Sequence, residues 1–150
     1  MDIHPDILPV LHQINFASRY KSLCDRYSNF NGRLKQYDRD LIQEFYNKKG
    51  LKASFNKKER FFKVIEPIGD YKVQFNTIPE YGFLQFVWDI KKGSERYNLA
   101  WGVWESITKE LLNLESGKPM FTSIEELEVI LSEAFLIYDD FKKGLLESQA

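Results

Sequence analysis

The stretch RFFKVIEPIGDYKVQFNTIPEYGFLQFVWDIKKGSERYNLAW, residues 60–101, decides the fold. Within it Tyr71, Val73 and Phe75 alternate with Lys72, Gln74 and Asn76, and Leu84, Phe86, Trp88 and Ile90 alternate with Gln85, Val87 and Asp89. That is the period of a strand with one buried face. Residues 60–66 precede them, apolar at Phe61, Phe62, Val64 and Ile65, and residues 95–101 follow, with Tyr97, Leu99 and Trp101 on one side. The separators 67–70, 79–82 and 91–94 are rich in Pro, Gly, Asp and Ser. They are turns too short to hold a crossover helix, so the four strands are expected to form an antiparallel meander.

Working outward, residues 7–27 place Ile7, Val10, Leu11, Ile14, Ala17 and Cys24 at helical spacing, with Asp6 as the expected cap and Pro9 in the first turn. A break at 28–32 precedes Leu34, Tyr37, Leu41 and Phe45, a second helix that should stop at Lys48-Lys49-Gly50. Downstream, Trp104, Ile107, Leu111 and Leu114 predict a short amphipathic helix. Ser123 with Glu126 forms a capping box that opens the longest helix. Its seam runs through Ile124, Leu127, Leu131, Ala134, Tyr138, Phe141 and Leu145, and further apolar residues widen it into a stripe suited to packing on a sheet. The expected fold is α+β: two N-terminal helices, a four-stranded antiparallel meander and two C-terminal helices packed on the sheet, in a single domain over 1–150.

Composition bounds function. The 150 residues are 43% hydrophobic and 15% aromatic, enough for a substantial core without staples. Lys and Arg total 21 against 22 acids, which argues against nucleic-acid binding by bulk charge. Residues 1–75 hold 14 Lys and Arg against 9 Asp and Glu, whereas 76–150 hold 7 against 13, so a dipolar molecule is expected. The lone Cys24 excludes an internal disulfide and a thiolate-rich metal site. No apolar run approaches the roughly 20 residues of a membrane span. The opening Met-Asp-Ile-His-Pro-Asp lacks the order of a signal peptide, so a cytoplasmic location is expected.

Chemistry-bearing patterns are few. His4 and His12 stand eight apart, not at the spacing of a helical metal pair, and neither a nucleophile elbow nor a phosphate-binding glycine loop occurs. No catalytic residue, cofactor or metal is expected. Glu59, Glu66 and Asp89 lie on or beside strands. Asp89 facing Glu66 across a pocket between sheet and helices would make the chain a small-ligand binder or an enzyme, the alternative reading. Lys57, Lys58, Arg60 and Lys63 beside Phe61 and Phe62 form a short basic patch with rings, set against the chain's slight acidity. The stronger signal is for a protein partner. Glu126, Glu133, Asp140 and Glu147 recur every seven residues, with Glu125 and Asp139 alongside, as an acidic stripe expected opposite the apolar seam. Tyr97, Trp101 and Trp104 are the candidate aromatic anchors, and a monomer or weak homodimer is expected.

The tail Phe121-Thr122-Ser123-Ile124-Glu125-Glu126-Leu127, running on to Tyr138-Asp139-Asp140-Phe141-Lys142, resembles the closing helix of small bacterial immunity proteins from polymorphic-toxin and contact-dependent inhibition systems. So does the order before it: a meander, a strand ending Asn98-Leu99-Ala100-Trp101-Gly102, then a short helix. The likeness extends over roughly residues 60–145. It implies a cytosolic, cofactor-free, non-catalytic protein that neutralises a toxin domain by tight binding and occlusion.

Overall fold

In the computed structural model, which describes residues 2–149, three long strands carry the alternation read above: β2 (Phe61–Ile68), β3 (Tyr71–Glu80) and β4 (Phe83–Lys92). Two short strands flank them, β1 (Ser54–Asn56) and β5 (Glu95–Arg96), and all five pair antiparallel in chain order. Each long hairpin closes on two residues. Gly69-Asp70 and Gly93-Ser94 put a positive-φ glycine first, the type II′ pattern; Tyr81-Gly82 has φ of 50° and 85°, the type I′ pattern.

Five helices accompany the sheet. α1 (Leu8–Gln13) and α2 (Phe16–Arg26) come from the single helix expected over 7–27. The chain breaks at Asn15, which takes φ 58°, a left-handed turn that asparagine tolerates. α3 (Arg39–Lys49) starts later than its apolar spacing suggested, because Leu34 donates its N–H to Phe121 O at 2.8 Å and residues 33–38 stay outside any helix. Asp38 then caps α3 through the Asp40 N–H. α4 (Trp104–Leu112) is followed by α5 (Ile124–Ser148), whose capping box forms: Ser123 Oγ accepts from Glu126 N–H, and the Glu126 carboxylate accepts from Thr122 N–H and Oγ1. Among the described residues no helix is long and apolar enough to cross a membrane.

Two departures involve the sheet. The fourth strand expected over 95–101 stops at Arg96, since His4 N–H bonds Asn98 O and Ile3 bridges Leu99, diverting the chain onto the N-terminal segment. The free edge of β4 is instead covered piecewise by β5, by a bridge from Val103 to Val87 and by one from Met120 to Phe83. The additional β1 is too short for its period to be visible in sequence.

The helices lie on one face. Phe62, Val64, Val73, Phe75, Phe86, Trp88 and Ile90 are fully buried beneath them, whereas Gln74, Asn76, Gln85 and Asp89 on the other face are only half-buried. Rings fill the space between. Trp104 on α4 has the rings of Phe16, Tyr20, Phe75, Phe86 and Trp88 at 4.7 to 5.6 Å, and Phe141 stacks on Trp88 at 3.9 Å. The density of rings leaves Trp88 Nε1, Trp104 Nε1 and Thr108 Oγ1 buried without a hydrogen-bond partner among the described residues. Removing the central indole is expected to cost about 3–5 kcal/mol, the usual loss for a buried aromatic cut to alanine. Urea unfolding of Trp104→Ala, followed by circular dichroism, checks this.

Candidate functional site

The chain from Leu99 to Trp104 reverses within three residues. Gly102 N–H bonds Leu99 O at 2.7 Å, and Ala100, Trp101 and Gly102 take φ of 50°, 70° and 77°. This is a type I′ turn whose two central positions, usually Asn-Gly, hold Ala and Trp. A left-handed L-residue costs roughly 1–2 kcal/mol, so the turn is strained twice. Gly102 itself is required on two counts: its φ is positive, and a Cβ there would run into the Trp88 backbone carbonyl. Ala100 is buried, but the Trp101 side chain stands 75% exposed, the most exposed large apolar group among the described residues.

The other expected anchors lie elsewhere. Trp104 is at 0% exposure in the middle of the ring cluster, out of reach of any partner. Tyr97 is 6% exposed, its ring stacked at 3.8 Å on His4 and its hydroxyl donating to Asp6. Both are named as anchors from residue type, while their spacing puts them on apolar faces, and that pattern does not tell an anchor from a core ring. Of the three, the fold leaves Trp101 in solvent.

The acidic stripe also sits differently from the expectation. It borders the packed face of α5 instead of opposing it. Glu133 pairs with Arg26 and Asp140 with Arg19 at 2.8 Å, both on α2. Asp139 pairs with Lys49 on α3 at 2.6 Å, and Glu126 is held in the helix cap. These carboxylates already have cationic or N–H partners within the chain, so they zip α5 to α2 and α3. Each such exposed pair contributes about 0–1 kcal/mol and chiefly fixes orientation.

Glu66 and Asp89 do not converge. Glu66 is in register with Val73, and Val73 with Ile90, so Glu66 faces the helices and Asp89 the opposite side. Glu66 accepts from Tyr138 Oη at 2.7 Å and from Lys142 Nζ at 3.0 Å, tying β2 to α5; burial, reinforced by this carboxylate, pushes the Tyr138 phenol well above its ordinary range. Asp89 pairs with Arg96 at 3.1 Å. In the basic patch, Lys57, Lys58 and Arg60 are exposed in the β1–β2 turn, but Phe62 is fully buried against Tyr46 and Phe55 and offers no ring to a ligand. Cys24 is buried, with its thiol directed at Gly117 O. Burial pushes it up to about 12, which keeps it protonated at neutral pH.

Compared with models of known protein families, with curated proteins and with solved structures, the chain matches none.

Two outcomes are expected. Trp101→Gly relieves left-handed strain and leaves the unfolding free energy unchanged or up to about 1 kcal/mol higher, whereas Gly102→Ala lowers it by about 2 kcal/mol or more; parallel urea titrations measure both. Iodoacetamide at pH 8 alkylates Cys24 slowly in the native chain and rapidly in urea, as read by mass spectrometry.

Proposed function

We propose that this chain is a non-catalytic protein-binding module whose contact centres on Trp101. The observation that carries the reading is one indole, 75% exposed, on a turn where Trp is an unfavourable choice for the backbone. Folding alone favours Asn-Gly at such a turn. Tryptophan is the residue most enriched at the energetic centre of protein interfaces, where it supplies a large rigid area with little rotamer entropy to lose.

Rigidity adds to the case. The turn is pinned upstream by the Ile3–Leu99 bridge and downstream by Trp104 in the core, so its backbone is ordered before any encounter. The resemblance to immunity proteins narrows the partner to a bacterial toxin domain, neutralised by steric occlusion. Because Glu133, Asp139 and Asp140 are paired inside the fold, long-range steering by that stripe is weakened, and affinity rests on the packed contact at Trp101.

Co-expression with the product of the adjacent gene tests the proposal. A complex that co-elutes in about 0.3 M salt, where surface charge is screened, is expected. Trp101→Ala is expected to weaken it by about 30-fold or more, the hot-spot range. Absence of a complex, or one indifferent to Trp101→Ala, defeats the reading.

A further inference from the structure

The cations of the fold are unequally used. Arg19, Arg26, Lys48 and Lys49 answer the carboxylates of α5. Lys35, Arg39 and Arg60 answer none: no carboxylate of the described residues lies within 4.0 Å of their charged atoms. These three meet at an open trough of about 580 Å³ beside the β3–β4 turn, with Tyr37, Phe55 and Tyr81 in its walls. A second trough of about 640 Å³ shares Lys35, Ile78, Glu80 and Tyr81 with the first and continues past Arg33 and Phe83. The two therefore form one channel across the end of the sheet.

The chemistry of the walls selects the occupant. The Arg39 guanidinium lies 4.3 Å over the Phe55 ring, and that of Arg33 lies 3.9 Å and 4.5 Å from Phe30 and Phe83. One face of each of these rings is covered by a guanidinium, which leaves Tyr81, 62% exposed, as the open ring beside the cations. A guanidinium stacked on a ring is held in place and still presents N–H groups at its edge to a carboxylate. Glu59 and Glu80 stand among the cations, where a phosphodiester strand would meet them with a charge at every residue. An extended peptide places side chains of one face about 6.6 Å apart, with apolar or neutral groups between and backbone N–H donors for Glu59 and Glu80. The half-buried Ile78 and Pro79 offer apolar floor to those intervening groups.

We propose that this channel binds an extended acidic peptide segment of a protein partner, its carboxylates on Arg39, Arg60 and Lys35. The proposal is independent of the Trp101 contact.

The probe is a fluorescein-labelled decapeptide of alternating Glu and Thr, titrated with the full chain by anisotropy. A Kd of about 100 μM or tighter is expected in 50 mM salt, weakening about tenfold at 300 mM, as screened ion pairs require. The Arg39→Glu/Arg60→Glu double variant is expected to weaken binding at least about tenfold and the single Lys35→Glu variant about threefold, since each reverses a charge facing the ligand. Lys35 is exposed, so its variant keeps the test valid should the double variant unfold. Trp101→Ala is expected to bind the decapeptide as the parent does, which separates failure here from failure of the Trp101 contact. Four results overturn the proposal: no saturable binding, equal binding of a Lys-Thr decapeptide, indifference to both charge reversals, or tighter binding of an oligothymidylate of equal charge, which assigns the channel to single-stranded nucleic acid.

Discussion

The indole of Trp104 is the constraint on which the rest hangs. It is the first residue of α4, and around it gather rings from α2, β3 and β4. Because that ring must reach the sheet, the chain between Leu99 and Trp104 has no slack. Leu99 is already fixed by its bridge to Ile3, and Val103 by its bridge to Val87. A reversal within Ala100–Gly102 follows; it is made in left-handed backbone, with the Trp88 carbonyl against Gly102. The two tryptophans, three positions apart, thus have opposite roles: one fills the core and thereby dictates the turn, and the other is the side chain that the turn turns outward.

The charge asymmetry of the sequence is partly neutralised by the fold. Bases from the N-terminal half and acids from the C-terminal half meet where α5 lies against α2 and α3, as Arg19 with Asp140, Arg26 with Glu133, Lys48 with Glu128 and Lys49 with Asp139. Folding converts a linear segregation of charge into local neutralisation, at about 0–1 kcal/mol per pair. Among the cations of the basic half that find no carboxylate, Lys35, Arg39 and Arg60 gather at the end of the sheet. That cluster is basic and local, and lies away from the acidic stripe that sequence spacing emphasised.

Legibility follows the range of the interaction that sets each element. The long strands read directly, because alternation is a local consequence of one buried face, and the hairpin turns read from their glycines. So did the Ser123 cap, which joins residues three apart. Residues 33–38 did not: Leu34 and Tyr37 continue the period of α3, yet a hydrogen bond from Leu34 to Phe121, distant in sequence, keeps them out of the helix. The early end of β5 is likewise set by a tertiary contact, whereas the break at Asn15 is a local left-handed turn. At the candidate site, aromatic identity was visible but not its direction. Tyr97, Trp101 and Trp104 look alike on an apolar-period argument, and the sign of φ at 101, which no side-chain pattern encodes, separates them.

That sign recurs once more. Tyr81-Gly82 and Trp101-Gly102 are both aromatic-glycine pairs with positive φ on both residues, one leading into β4 and the other following its covered edge. Each glycine is fixed by close approach, Gly82 against the Arg33 side chain and Gly102 against the Trp88 backbone. The aromatic residue before each is 62% and 75% exposed, while most of the chain's other rings are buried. Where a sequence with so many rings buries most of them, two left outside on strained backbone are poorly explained by packing. A polar residue at either position would lower the exposed apolar area and, as asparagine, the strain as well. The shared geometry instead treats both rings as pre-set contacts, Trp101 on one flank of the sheet and Tyr81 at the mouth of the basic channel.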